Sequence, residues 1–177
     1  MAQQAVAELF ETRWGWMALC WRGGVLFRVV LPGSRRRLLS AVVGLGLRRE
    51  EGASSALAQS CRRYFEGERV ELSAPVEFPP VSEFRRRVWE DTARIPYGQV
   101  VTYGKVAARV GSPGGARAVG QALAQNPLPL VVPCHRVIAA DGSLGGFSAE
   151  GGVELKRRLL ALEGVLTSDG RMRGWKE

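Results

Sequence analysis

Cys134 stands beside His135, the one histidine of the chain, in the run Val131-Val132-Pro133-Cys134-His135-Arg136-Val137-Ile138. A thiol reacts as its thiolate, and a neighbouring base or cation is what stabilises that form, so Cys134 next to His135 and Arg136 is a candidate nucleophile. Sequence neighbours point apart as a rule. His135 would therefore reach the thiol only through a turn or a bridging water, which argues against a directly paired protease-type dyad. A buried structural cysteine next to a satisfied core histidine fits the same pair, and the two residues alone leave both readings open. Glu163 breaks a local rule: it ends a helical stretch, where the macrodipole disfavours a carboxylate. Such a residue is either a solvated, frayed end or a buried carboxylate that orients a histidine tautomer.

These residues need elements to position them. Leu155, Leu159 and Leu162, at i, i+4 and i+7, predict a last amphipathic helix ending at Glu163-Gly164. Ser82 can cap a helix to about Arg94 whose buried stripe is Phe84, Val88 and Trp89, beneath arginines 85 to 87. Thr102 to Val110 predicts a short helix, Gly111-Ser112-Pro113-Gly114 a tight connection, and Gly115 to Asn126 a second helix stopped by Pro127. The outline is a helix-turn-helix.

Upstream, Ser73 to Val81 carries three prolines that interrupt regular structure and mark the linker. Before it, Trp14 to Cys20 and Val25 to Leu31 read as strands joined by a Gly23-Gly24 hairpin, and Ser54 to Phe65 as a serine-capped helix ended at Gly67. Its apolar face is Ala56, Leu57, Cys61, Tyr64 and Phe65. The expected organisation is a small α/β domain over 1–75 with an antiparallel sheet and a helix, and a linker over 76–82. A mainly α, winged-helix-like domain over 83–165 carries the helix-turn-helix and the active site, and 166–177 forms a tail. Arg171, Arg173, Trp175 and Lys176 make that tail basic without assigning it a role.

Composition bounds the function. With 46% hydrophobic and 24% charged residues the chain reads as globular, and no apolar run approaches the roughly 18 residues of a membrane span. Met1 to Phe10 lacks the basic-then-apolar order of a secretory signal, which predicts a cytoplasmic protein. Cys20, Cys61 and Cys134 are scattered, odd in number and without metal spacing, as expected of free thiols in a reducing compartment. The net charge of +8 and pI near 10.2 favour a polyanionic partner, with DNA, RNA and acidic lipid all open at this level.

Six segments, in order, resemble the O6-alkylguanine-DNA alkyltransferase family. They are Ile95-Pro96-Tyr97-Gly98-Gln99-Val100-Val101-Thr102-Tyr103-Gly104, Ala116 to Ala122, Asn126-Pro127, Pro133 to Val137, and Gly145-Gly146-Phe147-Ser148 with Leu159-Leu160 before Glu163-Gly164. The likeness covers about residues 80 to 165. It implies irreversible, single-turnover transfer of the alkyl group from O6-alkylguanine in DNA, with O4-alkylthymine a further substrate candidate, to Cys134. By the same resemblance His135 is the base acting through a water, Glu163 holds the histidine, and Tyr103 lends a proton to guanine N3. Asn126 braces the cysteine loop. Arg117 is the finger that fills the stack when the target base is flipped, on a slender helix of Ala116, Ala118, Gly120 and Gln121 suited to the minor groove of double-stranded DNA. Pro133, Val137, Phe147, Ser148 and Lys156 are expected to form the substrate pocket, with Lys156 near its rim. The chain departs from many members at Phe147, where they carry tyrosine, and its Ser148 to Gly152 stretch is longer than in some. One histidine and two distant cysteines cannot build the structural zinc site of some members, so no metal and no cofactor are expected, and the protein should act as a monomer. Two rivals share the scaffold: a non-catalytic sensor of alkylated DNA, which lacks the reactive cysteine, and a helix-turn-helix regulator, which calls for several long side chains aimed at base edges where only Arg117 and Gln121 are offered.

Overall fold

The computed structural model describes residues 5–149, 151–166 and 172. The basic tail residues Arg171, Arg173, Trp175 and Lys176, and Glu150 in the stretch before the last helix, lie outside them. The chain divides into two units, one of residues 1–79 with 127–131 and one of residues 80–126 with 132–177.

The first unit is a four-stranded sheet of β1 (Val6–Thr12), β2 (Gly15–Arg22), β3 (Val25–Gly33) and β4 (Arg48–Glu51), in the order β3-β2-β1-β4. The expected hairpin is β2 and β3, turned at Gly23 and Gly24, both with positive φ. The structure adds β1, antiparallel to β2, and β4, parallel to β1, so that the sheet is mixed. Gly15, the first residue of β2, has φ +117°, and a Cβ there would stand 2.6 Å from the Gly33 carbonyl oxygen, so only glycine fits.

Helix α1 (Arg35–Val43), capped by Ser34, and α2 (Ala56–Phe65), capped by Ser55, cover the sheet. Ala7, Leu9, Ala18 and Cys20 meet Leu38 and Val42 of α1. Glu8 and Phe10, which alternate with them on β1, serve α2: Glu8 bonds the serines at its start and Arg62 lies over the Phe10 ring. The buried face of α2 is Leu57, Ala58, Cys61, Tyr64 and Phe65; Ala58 is buried and Ala56 is exposed, because a helix turns about 100° per residue and the stripe runs through 57, 58, 61, 64 and 65. Pro75 to Glu77 run beside β3, with Leu26 N–H donating to Pro75 O at 2.8 Å and Glu77 N–H to Leu26 O at 2.9 Å.

The second unit opens with α3 (Glu83–Ala93), whose cap is Ser82 and whose buried residues are Val88, Trp89 and Thr92, with Phe84 half-buried. Short strand β5 (Val101–Thr102) leads into α4 (Tyr103–Arg109), where the Thr102 hydroxyl accepts from Lys105 N–H at 3.1 Å. The turn to α5 (Ala116–Ala124) uses positive φ at Gly111 and Gly114, as a tight helix-turn-helix corner requires. Trp89 donates its indole N–H to Ala122 O at 2.9 Å, fixing α3 against the end of α5. A 3-10 turn over Cys134–Arg136 then enters β6 (Val137–Ile138), which pairs in parallel with β5, and α6 (Gly152–Leu162) closes the unit. Among the described residues no helix is long and apolar enough to cross a membrane.

Candidate active site

The β5–β6 pair brings the start of α4 beside the 3-10 turn, so Tyr103 and Cys134, distant in sequence, line one cavity of about 650 Å³. Its walls include Ala116, Arg117, Gly120, Leu123 and Ala124 from α5, and Ala139, Ala140, Gly146, Phe147 and Ser148 from the segment after β6. Pocket size is that of small-molecule sites, and the small residues of α5 leave room for a flat, apolar ligand.

Cys134 is 9% exposed at this cavity. Burial pushes its thiol above the ordinary range; the Asn126 side chain, the Lys156 ammonium and the backbone N–H groups of Cys134 and His135 pull the other way. The thiol is therefore protonated at rest yet surrounded by groups that favour its anion, which suits a nucleophile activated by a base. Asn126 braces the approach as well, donating its amide to Val132 O at 2.8 Å.

His135 is buried and faces Glu163, with Nε2 2.7 Å from Oε1. Burial holds its basicity down despite the carboxylate, and the Arg136 and Lys156 charges act in the same direction as burial, so the ring is neutral. Burial alone would push Glu163 up, but the hydrogen bonds from His135 and Arg136 and the Arg136 charge carry it down to about 2. A carboxylate only accepts, so Nε2 carries the proton of the neutral ring and Nδ1 carries the lone pair. Nδ1 is buried and, among the described residues, has no hydrogen-bond partner.

Glu163 caps the C-terminal end of α6, and its side chain is fully buried. What offsets the unfavourable dipole is Arg136: Nε donates to Oε2 at 2.9 Å and Nη2 to Oε1 at 3.0 Å, while Nη1 donates to Ile95 O at 2.6 Å. Gly98 N–H adds a bond to Oε2 at 3.1 Å, from a glycine with φ +75°. Sequence singled out Glu163 by its misfit and Arg136 only as a charge beside the cysteine. The bidentate clasp between them was signalled by nothing but the pairing of two charges at opposite ends of unrelated elements.

Tyr103 sits at the first turn of α4 with its phenol raised above the usual range by burial and by Cys134, so it keeps its proton. The hydroxyl donates to Gly146 O at 3.4 Å. A Cβ on Gly145 would stand 2.9 Å from that ring, which explains a glycine with φ +66° over it.

Of the expected pocket residues, Phe147 and Ser148 line the cavity, while Pro133, Val137 and Lys156 do not. Pro133 precedes the 3-10 turn, and Val137 belongs to β6, buried. Lys156 is no rim residue: it is fully buried, donates to Val137 O at 2.5 Å and lies 3.5 Å from both the Tyr103 hydroxyl and Gly146 O. It sits on the inward face of α6 beside Leu155, and burial brings it down to about 8. On α5, Arg117, Ala118 and Gln121 are exposed and Ala116 and Gly120 half-buried; Ala118 and Gln121 lie off the cavity wall, on the outer face.

Residues 83–165 match the family model described as the DNA-binding domain of 6-O-methylguanine DNA methyltransferase. A methylated-DNA–protein-cysteine methyltransferase of Sulfurisphaera tokodaii is 53% identical over 102 residues, 58% of this chain and 62% of that relative. The match thus spans less than two thirds of that protein's length. The protein of the same name from Archaeoglobus fulgidus is 37% identical over 163 residues, 89% of this chain and 99% of the relative. The crystal structure of Mycobacterium tuberculosis OGT in complex with DNA superposes with a TM-score of 0.75 at 35% identity, over 89% of this chain and 92% of that one. A likeness that runs through both units and includes the Cys134 turn makes this chain a member of the methylated-DNA–protein-cysteine methyltransferase family.

Proposed function

We propose that the chain repairs alkylated DNA directly, by moving the alkyl group of O6-alkylguanine onto Cys134. The observation that carries this reading is a buried thiol at the cavity surface, flanked by a neutral histidine whose Nδ1 lone pair is unengaged. In the step proposed, the Sγ proton passes to Nδ1 through a water, Sγ attacks the alkyl carbon, and the C–O6 bond breaks with its electrons going to the purine. A Tyr103 hydroxyl that lines the cavity, keeps its proton and has Lys156 3.5 Å away supports the reading that it gives a proton to N3 of the departing guanine. The product is a thioether without a good leaving group, so each molecule acts once.

A target atom inside a duplex is out of reach of a thiol so buried, which favours base flipping. Arg117 lines the cavity and is exposed, and the alanines and glycine around it keep α5 thin, which supports a role in filling the stack from the minor groove. The partner is double-stranded DNA carrying the lesion. The large exposed hydrophobics among the described residues, Val43, Val76 and Val153, are scattered, which favours a monomer, and the free cysteines favour the cytoplasm.

Incubation with duplex carrying a labelled O6-methyl group tests the reading. The label should end on Cys134, at about one equivalent per chain as a dead-end thioether requires, and Cys134→Ser should abolish transfer while lesion binding remains. Binding without label transfer would instead make the protein a sensor. Sustained turnover would overthrow the thioether mechanism, and an operator-like preference on undamaged DNA would favour the regulator.

A further inference from the structure

Arg136 does not line the cavity, yet its side chain donates three hydrogen bonds within this cluster, two of them to Glu163. Its guanidinium is boxed in by the Glu163 carboxylate, by Ile95 O and by the Tyr97 ring, whose centroid is 5.9 Å from Cζ. Tyr97 in turn donates its hydroxyl to Leu162 O at 3.1 Å, so the turn after α3 and the end of α6 are tied to the same group. Bidentate geometry of this kind fixes both orientation and charge, which a lysine in its place could do only in part.

The consequence lies in the protonation of Glu163. A fully buried carboxylate at a helix C-terminus has two forces against ionisation, desolvation and the dipole, and His135, being neutral, offers no full positive charge. Without Arg136, Glu163 would take up a proton. A carboxylic acid donates, so it would bond Nε2 as donor and drive the ring proton to Nδ1, leaving no lone pair to receive the proton of Cys134. The same guanidinium also helps keep His135 neutral, together with Lys156.

The geometry points to Arg136 as a positioning residue for transfer: by holding Glu163 ionised it fixes the Nε2–H tautomer of His135 and keeps Nδ1 available as the base. In the step it supports, the proton leaves Sγ and arrives at Nδ1, the imidazolium so formed is stabilised by Glu163, and the C–S bond forms as C–O6 breaks. The groups that face the pair are Arg136 and His135 about Glu163, and Glu163, Arg136 and Lys156 about His135. This inference rests on the alkyl-transfer reading for its activity arm and is independent of it for its spectroscopic arm.

The chain has one histidine, so a 15N-imidazole spectrum reports one ring. Near neutral pH the parent should show the proton on Nε2, and Arg136→Met should move it toward Nδ1, returning to Nε2 as pH rises and Glu163 ionises. Arg136→Lys should keep the parent tautomer, which preserves the test if the methionine variant folds poorly. With free O6-benzylguanine, Arg136→Met should slow transfer by about 100-fold near neutrality, the scale of a lost general base, and recover at higher pH. Adding Arg136→Met to Glu163→Gln should slow transfer no further. A parent ring protonated on Nδ1, or a tautomer unmoved in Arg136→Met, would overturn the inference, as would losses that multiply in the double variant. A correct tautomer shift in a protein that transfers no alkyl group would retain the inference about the histidine and remove the function.

Discussion

Among the described residues two carboxylates are buried, one in each unit, and they are satisfied in opposite ways. Glu8, in β1, is 3% exposed and accepts only from neutral donors: Trp21 Nε1, and the backbone N–H and hydroxyl groups of Ser54 and Ser55. It stands at the N-terminus of α2, where the dipole favours a negative charge. Every bond from Glu8 ends in a saturated group, and nothing is left over to react. Glu163 stands at the wrong end of its helix, is held by a cation, and passes its influence through His135 to a nitrogen with no partner among the described residues. Burial of a charge is therefore no sign of function by itself. The informative feature is where the hydrogen-bond chain ends.

Paired isosteric changes break that comparison most sharply. Glu163→Gln should turn its carbonyl to Arg136 and its amide N–H to Nε2, inverting the tautomer and cutting alkyl transfer by about 10²- to 10⁴-fold, the general-base range. Glu8→Gln should leave transfer per folded molecule at the parent rate and instead lower stability, by about 2–3 kcal/mol for lost charge-assisted bonds. Single-turnover rates and thermal melts on both variants decide it. A slow, stable Glu8→Gln would erase the distinction between the two sites. Acid titration gives a second reading. Glu163 falls from the ordinary 4.5 to about 2 on folding, so its contribution is full above roughly pH 4.5 and is lost as the pH falls toward 2.

Legibility in the sequence also differs between the two units. Ser82, Thr102 and the glycines at 111 and 114 announce their helices and turn, because caps and positive φ are local chemistry. Strand β1 escapes such reading: Ala7, Leu9 and Phe10 are buried together with Glu8, since helices cover both faces of the sheet and no alternation survives. Strand β4, Arg-Arg-Glu-Glu and wholly exposed, exists only because β1 offers it an edge. In the site, Cys134, His135 and Glu163 were readable from residue type and motif. The burial of Lys156 was not, since a lysine between Leu155 and Leu159 looks like the polar edge of a stripe. Nor could the sequence place Pro133 and Val137 behind the cavity, which depends on the parallel pairing of β5 with β6.

Arg117 sharpens the contrast from outside the buried network. It is exposed on α5 and bonded to neither carboxylate, so its contribution should be to DNA and not to the thiol. Arg117→Ala should slow repair of a duplex lesion by about tenfold or more, since only a duplex leaves an unstacking cost of a few kcal/mol for an inserted side chain to offset. Reaction with free O6-benzylguanine should stay within about twofold, as no charge-assisted contact to the small molecule is lost. Equal losses on both substrates would place Arg117 in the chemistry.

The smallest effect concerns Lys156, a buried cation that among the described residues has no carboxylate to answer it. Glu8 has its donors and Glu163 its arginine, but this ammonium has the Val137 carbonyl, the Tyr103 hydroxyl and, when the thiol ionises, Cys134. Its folded value of about 8 lies below the ordinary 10.5, so the burden of a buried charge is present in full below about pH 8 and is relieved as the pH rises toward 10.5. Ionisation of Cys134 at high pH acts in the same direction by supplying a counter-charge. Lys156→Met keeps the volume and removes the charge; it also orphans the Val137 carbonyl, a loss of about 1–3 kcal/mol. Burying an ammonium costs several kcal/mol, so the net change should be a gain of about 1 kcal/mol near neutral pH. Transfer should become slower, because Cys134 loses the cation that favours its anion and Tyr103 a neighbour within 3.5 Å. Melting curves near pH 7 and pH 10 together with single-turnover rates test both signs: the variant should melt higher at neutrality, the gap should narrow at alkaline pH, and repair should fall. A variant that melts lower near neutral pH would mean that Lys156 holds the fold together, and that the thiol site carries no stored charge of its own.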